Sequence, residues 1–347
     1  MSRAKNVYAS VKSYSQRGKL LRREDYQTLS ESRNLDELVT RMRNTIYEKV
    51  VSDAPKPYTA RGIESVIRGH LAFLHYNISR TAGKSPILDA YYMRFIVSNL
   101  KAILKGKALG KTQEEIESHL NLRAEELMKQ RDIVVKALVA KDLEEAVANL
   151  GPTRFGEDIA RAAAAYGDGG NIQVFDTYFD KIVYQHLGRA RRHTWDMSVT
   201  KIVDLDIDAY NLLGVIRGKF WGLDEARMED LLVTPTASAP RDLLSRMMAA
   251  ETVRDALNEL AGTKYKGLVP QTENEMDAVA EFERALERET YAASLRSFTK
   301  MFGFATIIGI TKLTAYEIGN LAAIAFAVEQ GIPPKTVMSK LVLGAEA

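Results

Sequence analysis

The sequence predicts an all-α protein, and three observations lead there. Apolar residues fall at i, i+3, i+4 and i+7 along most of the 347 residues, the spacing of one helix face, while the alternation of a half-buried strand is nearly absent. A set of short helical signatures recurs three times, about 110 residues apart. Glycines and capping residues then stand where those signatures stop, as helix ends require.

In the first signature, Leu35, Val39, Met42, Thr45 and Tyr47 match Leu143, Val147, Leu150, Thr153 and Phe155, and again Val253, Leu257, Leu260, Thr263 and Tyr265. Leu35, Leu38, Val39 and Met42 make one apolar helix stripe, with its equivalent at Leu143, Val147 and Leu150. The second signature opens a helix at Ile63-Glu64 with Ile67, at Phe175-Asp176 with Phe179, and at Phe282-Glu283 with Leu286. The third is the sharpest: Asn99-Leu100-x-x-Ile103, Asn211-Leu212-x-x-Val215 and Asn320-Leu321-x-x-Ile324, each asparagine followed eleven residues on by Gly110, Gly222 or Gly331. Beyond Gly110, Thr112 and Glu115 form a capping-box pattern ahead of Ile116 and Leu120. Asp224 takes the Thr112 slot in copy two, before Met228 and Leu232. Copy three has Pro333 there and Pro334 next, and proline costs little in a first helical turn. Each copy therefore holds a long helix, a glycine stop and a second helix.

A unit of this length exceeds an ordinary solenoid repeat and can enclose a small core of its own. The expected organisation is three helical repeats, at residues 1–125, 126–236 and 237–347. The stretch Thr234 to Pro240 reads as a linker, and Tyr166-Gly167-Asp168-Gly169-Gly170 as a second loop, both expected to be exposed and mobile.

Composition excludes several function classes. The chain has no cysteine, which removes disulfides, thiolate metal sites and cysteine nucleophiles and points to a reducing compartment. A basic start, Met1-Ser-Arg-Ala-Lys-Asn, is not followed by the apolar stretch of a secretory signal. The apolar runs Phe302 to Ile310 and Leu321 to Val328 are separated by Lys312 and Glu317, and neither approaches the roughly 20 residues of a membrane span. The net charge of +3 comes from 48 basic against 45 acidic residues, mixed nearly everywhere, which speaks against a nucleic-acid partner. One exception is the cluster Arg189, Arg191, Arg192 and His193, read as a solvated helix face in preference to a phosphate or lipid contact.

Catalytic lookalikes fail on spacing. Gly106 to Thr112 resembles a phosphate loop but has three residues between its glycines where the motif needs four, and it follows a helix. Gly83-Lys84-Ser85 lacks the upstream glycine. His70 and His75 are five residues apart, which does not place two zinc ligands on one helix face. Asp204, Asp206 and Asp208 alternate by two and spread around a helix, unlike a magnesium cluster. The recurring acids Glu64, Asp176 and Glu283 and the asparagines Asn99, Asn211 and Asn320 occupy the same slot in every copy, so they are read not as one active site but as structural groups, the acids as hydrogen-bond or ion-pair partners within each lobe. No catalytic residue, cofactor or metal is expected. Specific contacts should lie where the copies differ. Lys105 and Lys107 match Arg217 and Lys219, but Phe326 and Val328 stand in their place in copy three, and Phe220 and Trp221 have no aromatic equivalents. The candidate partner contacts are Lys105, Lys107, Arg217, Lys219 and Phe326.

The blocks Leu35 to Tyr47, Ala137 to Phe155, Phe175 to Tyr184, Ile207-Asp208-x-x-Asn211-Leu212 to Gly222 and Tyr316-Glu317-x-x-Asn320-Leu321 resemble, over nearly the whole chain, the C subunit of the archaeal and bacterial A-type (V-type) ATP synthases, a family that includes the d subunit of the vacuolar ATPase. The resemblance implies three pseudo-symmetric helical lobes arranged as a funnel, without catalytic residues. It also implies a rotor role at the cytoplasmic face of the membrane, with the central-stalk shaft subunits (D and F type) and the membrane rotor ring as partners, in ATP-linked proton or sodium transport. Copy three departs from the family's basic tract at Ala327-Val328-Glu329-Gln330. A helical scaffold for a soluble partner is the alternative.

Overall fold

The computed structural model describes residues 3–234, 236–299 and 303–344, and among them it is helical with no strand. The helices are α1 (Arg3–Arg17), α2 (Arg23–Ser30), α3 (Leu35–Met42), α4 (Glu48–Val51), α5 (Ala60–Ala82) and α6 (Pro86–Ala108). Then come α7 (Gln113–Glu117), α8 (Leu122–Met128), α9 (Arg131–Leu138), α10 (Leu143–Leu150), α11 (Gly156–Gly169) and α12 (Gln173–Arg191). The chain continues with α13 (Met197–Phe220), α14 (Glu225–Leu231), α15 (Arg241–Ala249), α16 (Val253–Asn258), α17 (Glu275–Arg296), α18 (Phe304–Glu329) and α19 (Pro334–Lys340).

The described residues up to Ser85 and those from Glu287 onward form one compact unit, and Pro86–Leu286 forms the other. In the first, α18 lies against α5, α1, α2 and α3. That helix is apolar nearly all round, the pattern of a helix buried on every side. Its Thr306, Thr311 and Thr314 hydroxyls bond back to carbonyls three or four residues earlier, which lets polar side chains stay buried. In the second unit α6 packs on α12, α9 and α10, around a core of Leu100, Ile103, Phe155, Phe175 and Phe179. There α13 packs on α15 and α16.

One rule governs these pairings. The asparagine-bearing helix of each copy packs on the first signature of the following copy: α6 on the Leu143 to Phe155 block, α13 on the Val253 to Tyr265 block. In the first unit α18, which belongs to copy three, returns to the Leu35 to Tyr47 block of copy one. The first signature itself is built the same way three times. Asn34, Asp142 and Thr252 cap α3, α10 and α16 by accepting the N–H three residues on. At the far end Thr45, Thr153 and Thr263 donate to the carbonyls of Met42, Leu150 and Leu260 and accept from the N–H of Tyr47, Phe155 and Tyr265.

The glycine stops work as expected. Gly110, Gly222 and Gly331 have φ of 65°, 68° and 65°, the left-handed region where a side chain is strained. The next residue's N–H reaches the carbonyl five back, Lys111 to Gly106 (2.9 Å), Leu223 to Gly218 (2.9 Å) and Ile332 to Ala327 (2.8 Å), a Schellman closure. The lookalike phosphate loop is thus the end of α6.

One expected loop is corrected. Tyr166 to Gly169 belong to α11, and the helix ends only at Gly170, because Tyr166 is held by its ring contact with Phe175 at 5.5 Å and by its hydroxyl on the Ala108 carbonyl. The described residues of the Thr234 to Pro240 stretch are non-helical as expected, with Thr234, Ser238 and Pro240 exposed; within it Ala239 is buried and its N–H donates to the Asp208 carboxylate at 2.8 Å. Pro235 of that stretch, and Phe302 of the apolar run, lie outside the described residues.

A Cβ built on Gly106 would come within 2.5 Å of Ile116 Cγ1. In copy three the corresponding slots hold Ala327 and the smaller Val337, both buried, on α18 and α19, which pack together. Gly106→Ala should therefore lower the unfolding free energy measured by denaturant titration by about 1–2 kcal/mol, overpacking exceeding the helix-propensity gain. Adding Ile116→Val should recover most of the loss; a stabilised single variant would refute the packing account.

Candidate functional site

The polar groups buried at the repeat joints fall into recurring sets. Asn99 accepts the N–H of Asn121 (2.9 Å) and donates to its carbonyl (3.1 Å). Asn211 does the same with Val233 (2.8 and 3.1 Å), and Asn320 with Val342 (3.0 and 2.9 Å), always 22 residues on. Each amide thus ties a long helix to the backbone of a residue that follows the next short helix.

A second set lies three residues before each asparagine. Glu317 accepts from Tyr47 Oη at 2.5 Å, from the Leu21 N–H at 2.6 Å and from Tyr26 Oη at 3.4 Å. Asp208 accepts from Tyr265 Oη and from the Ala239 N–H, with Lys264 Nζ 3.5 Å away. In the remaining copy the slots hold Ile96 and Phe155, both in the apolar core. Burial raises the Glu317 and Asp208 carboxyls, and their hydrogen-bond donors pull in the opposite direction. Burial, reinforced by the facing carboxylate, raises the phenols of Tyr47 and Tyr265. Each carboxylate is enclosed by its own donors, so these groups hold the fold and present no acid–base pair to a substrate.

The three aspartates of α13 go to three partners: Asp204 to Arg191 (2.6 and 2.8 Å), Asp206 to Tyr91 Oη (2.5 Å) and Asp208 as above. Among the described residues no group of histidines and carboxylates has the arrangement of a metal site. His75 is buried, with Nε2 3.1 Å from Thr314 Oγ1.

The candidate contact residues lie in the last turns of α6, α13 and α18, where positive charge suits the helix dipole. Lys105 pairs with Asp176 at 2.6 Å and Arg217 with Glu283 at 2.6 Å, the same recurring acidic slot in both copies. Lys101 adds contacts to Asp176 (3.4 Å) and Asp180 (3.1 Å). Lys107 donates to the Ala140 carbonyl, and Lys219 is half-buried. In copy three the cation is replaced by Phe326, 55% exposed, and Glu64 turns to Arg68 of its own helix. Glu329 there accepts the Ala60 N–H at 2.8 Å, at the start of α5. Phe220 and Trp221 are also exposed. The expectation that the acids pair within one copy is corrected for Asp176 and Glu283: each takes a cation of the preceding copy, 71 and 66 residues away, because the long helix packs on the copy that follows it.

Sequence reasoning does not single out Glu125, which is buried and receives Asn99 Nδ2 at 3.0 Å; a glutamate at the same offset from the copy-three asparagine, Glu346, is the one sequence signal for it, and copy two has Ala237 there.

Residues 9–340 match the ATP synthase (C/AC39) subunit family. The chain belongs to that family. It is accordingly a structural subunit of an ATP synthase and not itself catalytic. Among similar proteins, the C subunit of the A-type ATP synthase from Methanothermobacter thermautotrophicus is 25% identical over 349 residues, covering 96% of this chain and 87% of the relative. That of Desulfurococcus sp. strain SY is 24% identical, covering 95% and 88%. The Haloferax volcanii protein of the same name is 24% identical, covering 74% of each chain. No helix among the described residues is long and apolar enough to cross a membrane.

Two outcomes follow from the joints. Asn211→Leu strands the Val233 N–H and carbonyl and should cost about 2–4 kcal/mol in urea denaturation, against near-neutrality if the amide were incidental. Burial lifts the Glu125 carboxyl to about 7, with Asn99 and Arg154 offsetting part of the rise. Its native pKa lies above its unfolded one, so its contribution to stability is greatest below the ordinary carboxylate range and is lost as pH rises toward about 7. Glu125→Gln should therefore gain on the parent by on the order of 2 kcal/mol between about pH 5 and pH 8. A pH-independent difference in thermal midpoint would contradict this.

Proposed function

We propose that this chain is the non-catalytic rotor component of an A-type ATP synthase that joins the central-stalk shaft subunits (D and F type) to the membrane rotor ring, at the cytoplasmic face, in ATP-linked proton or sodium transport. In this reading its three repeats, 1–125, 126–236 and 237–347, are pseudo-symmetric lobes of a funnel. The observation that carries it is the threefold asparagine clamp in a chain whose family match runs from residue 9 to residue 340. A protein that transmits torque has to resist deformation, and close-packed helices locked by satisfied buried amides supply that stiffness.

The contact residues are Lys105, Lys107, Arg217, Lys219 and Phe326. The ion pairs Lys105–Asp176 and Arg217–Glu283 are partly exposed, a setting in which a pair is worth about 0–1 kcal/mol. Exchanging these internal partners for an acidic one on another protein of the complex therefore costs little. Phe326 offers apolar surface at the third equivalent position.

The test is co-purification of the chain with the shaft subunits, followed by addition of the detergent-solubilised rotor ring. A stoichiometric bridge between shaft and ring is expected, and binding to neither would leave a helical scaffold with another partner. Replacing Lys105, Lys107, Arg217 and Lys219 by glutamine should weaken the bridge at least tenfold with helical content unchanged; a loss of helix would assign them to the fold.

A further inference from the structure

The turn between α12 and α13 holds a group of side chains that neither the core nor the proposed contacts use. Arg191 is committed to Asp204, but Arg189, Arg192 and His193 are exposed. Trp195 is 93% exposed and Met197 is 72% exposed. Asp196, between them, turns its carboxylate to the Ser198 N–H as the N-cap of α13. Arg189 and His193 also line a cleft of about 310 Å³ with Asp89, His186 and Arg154, the last stacked 4.8 Å over the Phe155 ring. Burial, with Arg189 and Arg154 nearby, lowers His186 to about 4, so at neutral pH the positive charge of this edge rests on Arg154, Arg189 and Arg192, with Asp89 opposing Arg154.

An indole and a thioether left in water beside guanidinium groups form the combination found at membrane–water interfaces, where aromatic bodies enter the headgroup layer and cations meet phosphate. The indole projects from the surface and does not floor a groove, so it suits a fluid layer that needs no matching socket. We propose that the α12–α13 turn contacts the membrane surface directly, with Trp195 and Met197 in the headgroup layer and Arg189 and Arg192, at the mouth of the Arg154 cleft, on the phosphates of anionic phospholipids. This contact is independent of the rotor assignment and is tested on the full chain alone.

The sequence has two tryptophans, and Trp221 is 65% exposed on the far end of α13, so Trp221→Phe leaves Trp195 as the sole emitter. That variant is mixed at low ionic strength with vesicles of phosphatidylcholine, with vesicles containing one quarter phosphatidylglycerol, and with inorganic phosphate. The expected result is a shift of Trp195 emission to shorter wavelength and co-flotation with the anionic vesicles only, reversed by salt. In flotation, Arg189→Gln with Arg192→Gln should weaken partitioning by about 30-fold, and Trp195→Ala should also weaken it, both with unchanged circular dichroism. The proposal is overturned by no shift on anionic vesicles, by equal binding to neutral ones, by an equal shift with phosphate alone, which would mark a soluble-anion site, or by arginine variants that bind as well as the parent.

Discussion

Everything in this protein depends on one side-chain amide used three times. An asparagine in the middle of a long helix, facing an apolar core, has to place both ends of its amide or lose several kilocalories. Asn99, Asn211 and Asn320 do so by pairing with the N–H and carbonyl of a single residue, at the same distance along the chain. That choice fixes what lies between. The long helix must end within three turns of the asparagine, the chain must reverse through a left-handed residue, and a short helix must bring the backbone back alongside. Glycine stands at the reversal in all three copies, and the crossing point beside it is Gly106 or Gly218 in the first two because the returning helix lays Ile116 or Met228 there, with Ala327 and the smaller Val337 in the same slots of the third.

Around the clamp the copies are free to vary, provided partners vary together. Two joints bury a carboxylate under a tyrosine, and the third has isoleucine and phenylalanine in those slots. Exchanging both members of a buried polar pair for apolar groups of similar size costs little, whereas exchanging one leaves a charge without its donor. Lys105 with Asp176 and Arg217 with Glu283 follow the same rule nearer the surface. In copy three the cation is replaced by Phe326, and the acid Glu64 takes Arg68 in exchange.

The helical class, the repeat, the caps and the glycine stops were legible because each is local: a period, a capping pair or a φ requirement is written within a dozen residues. The asparagines were correctly read as structural from their recurrence, without their partners. What could not be read was which copy each signature packs on, since Leu143 and Leu35 are equally suited to meet the helix bearing Asn99 and only the chain path decides. The α11 end differs from expectation for a related reason. Glycine-rich sequence marks a loop when judged locally, but Tyr166 supplies a tertiary bond that holds the segment in helix. Glu125 is hard to single out because its slot holds alanine in copy two, and burial of one glutamate is decided by its tertiary surroundings.

The return of α18 to the first block has a consequence for the order in which the molecule is made. Tyr47 and Leu21 emerge early in synthesis, but the Glu317 that satisfies them is nearly 300 residues behind. Residues 86–286, whose contacts are all closer in sequence, can complete their packing while the opening helices still lack a core. Those opening helices therefore wait, with the face of α5 that packs on α18 uncovered, until α18 itself leaves the ribosome. Until then the nascent chain carries a sticky amino-terminal segment that a holding chaperone would recognise, and a ribosome stalled short of α18 would release a product with two of its three joints sound and one permanently open.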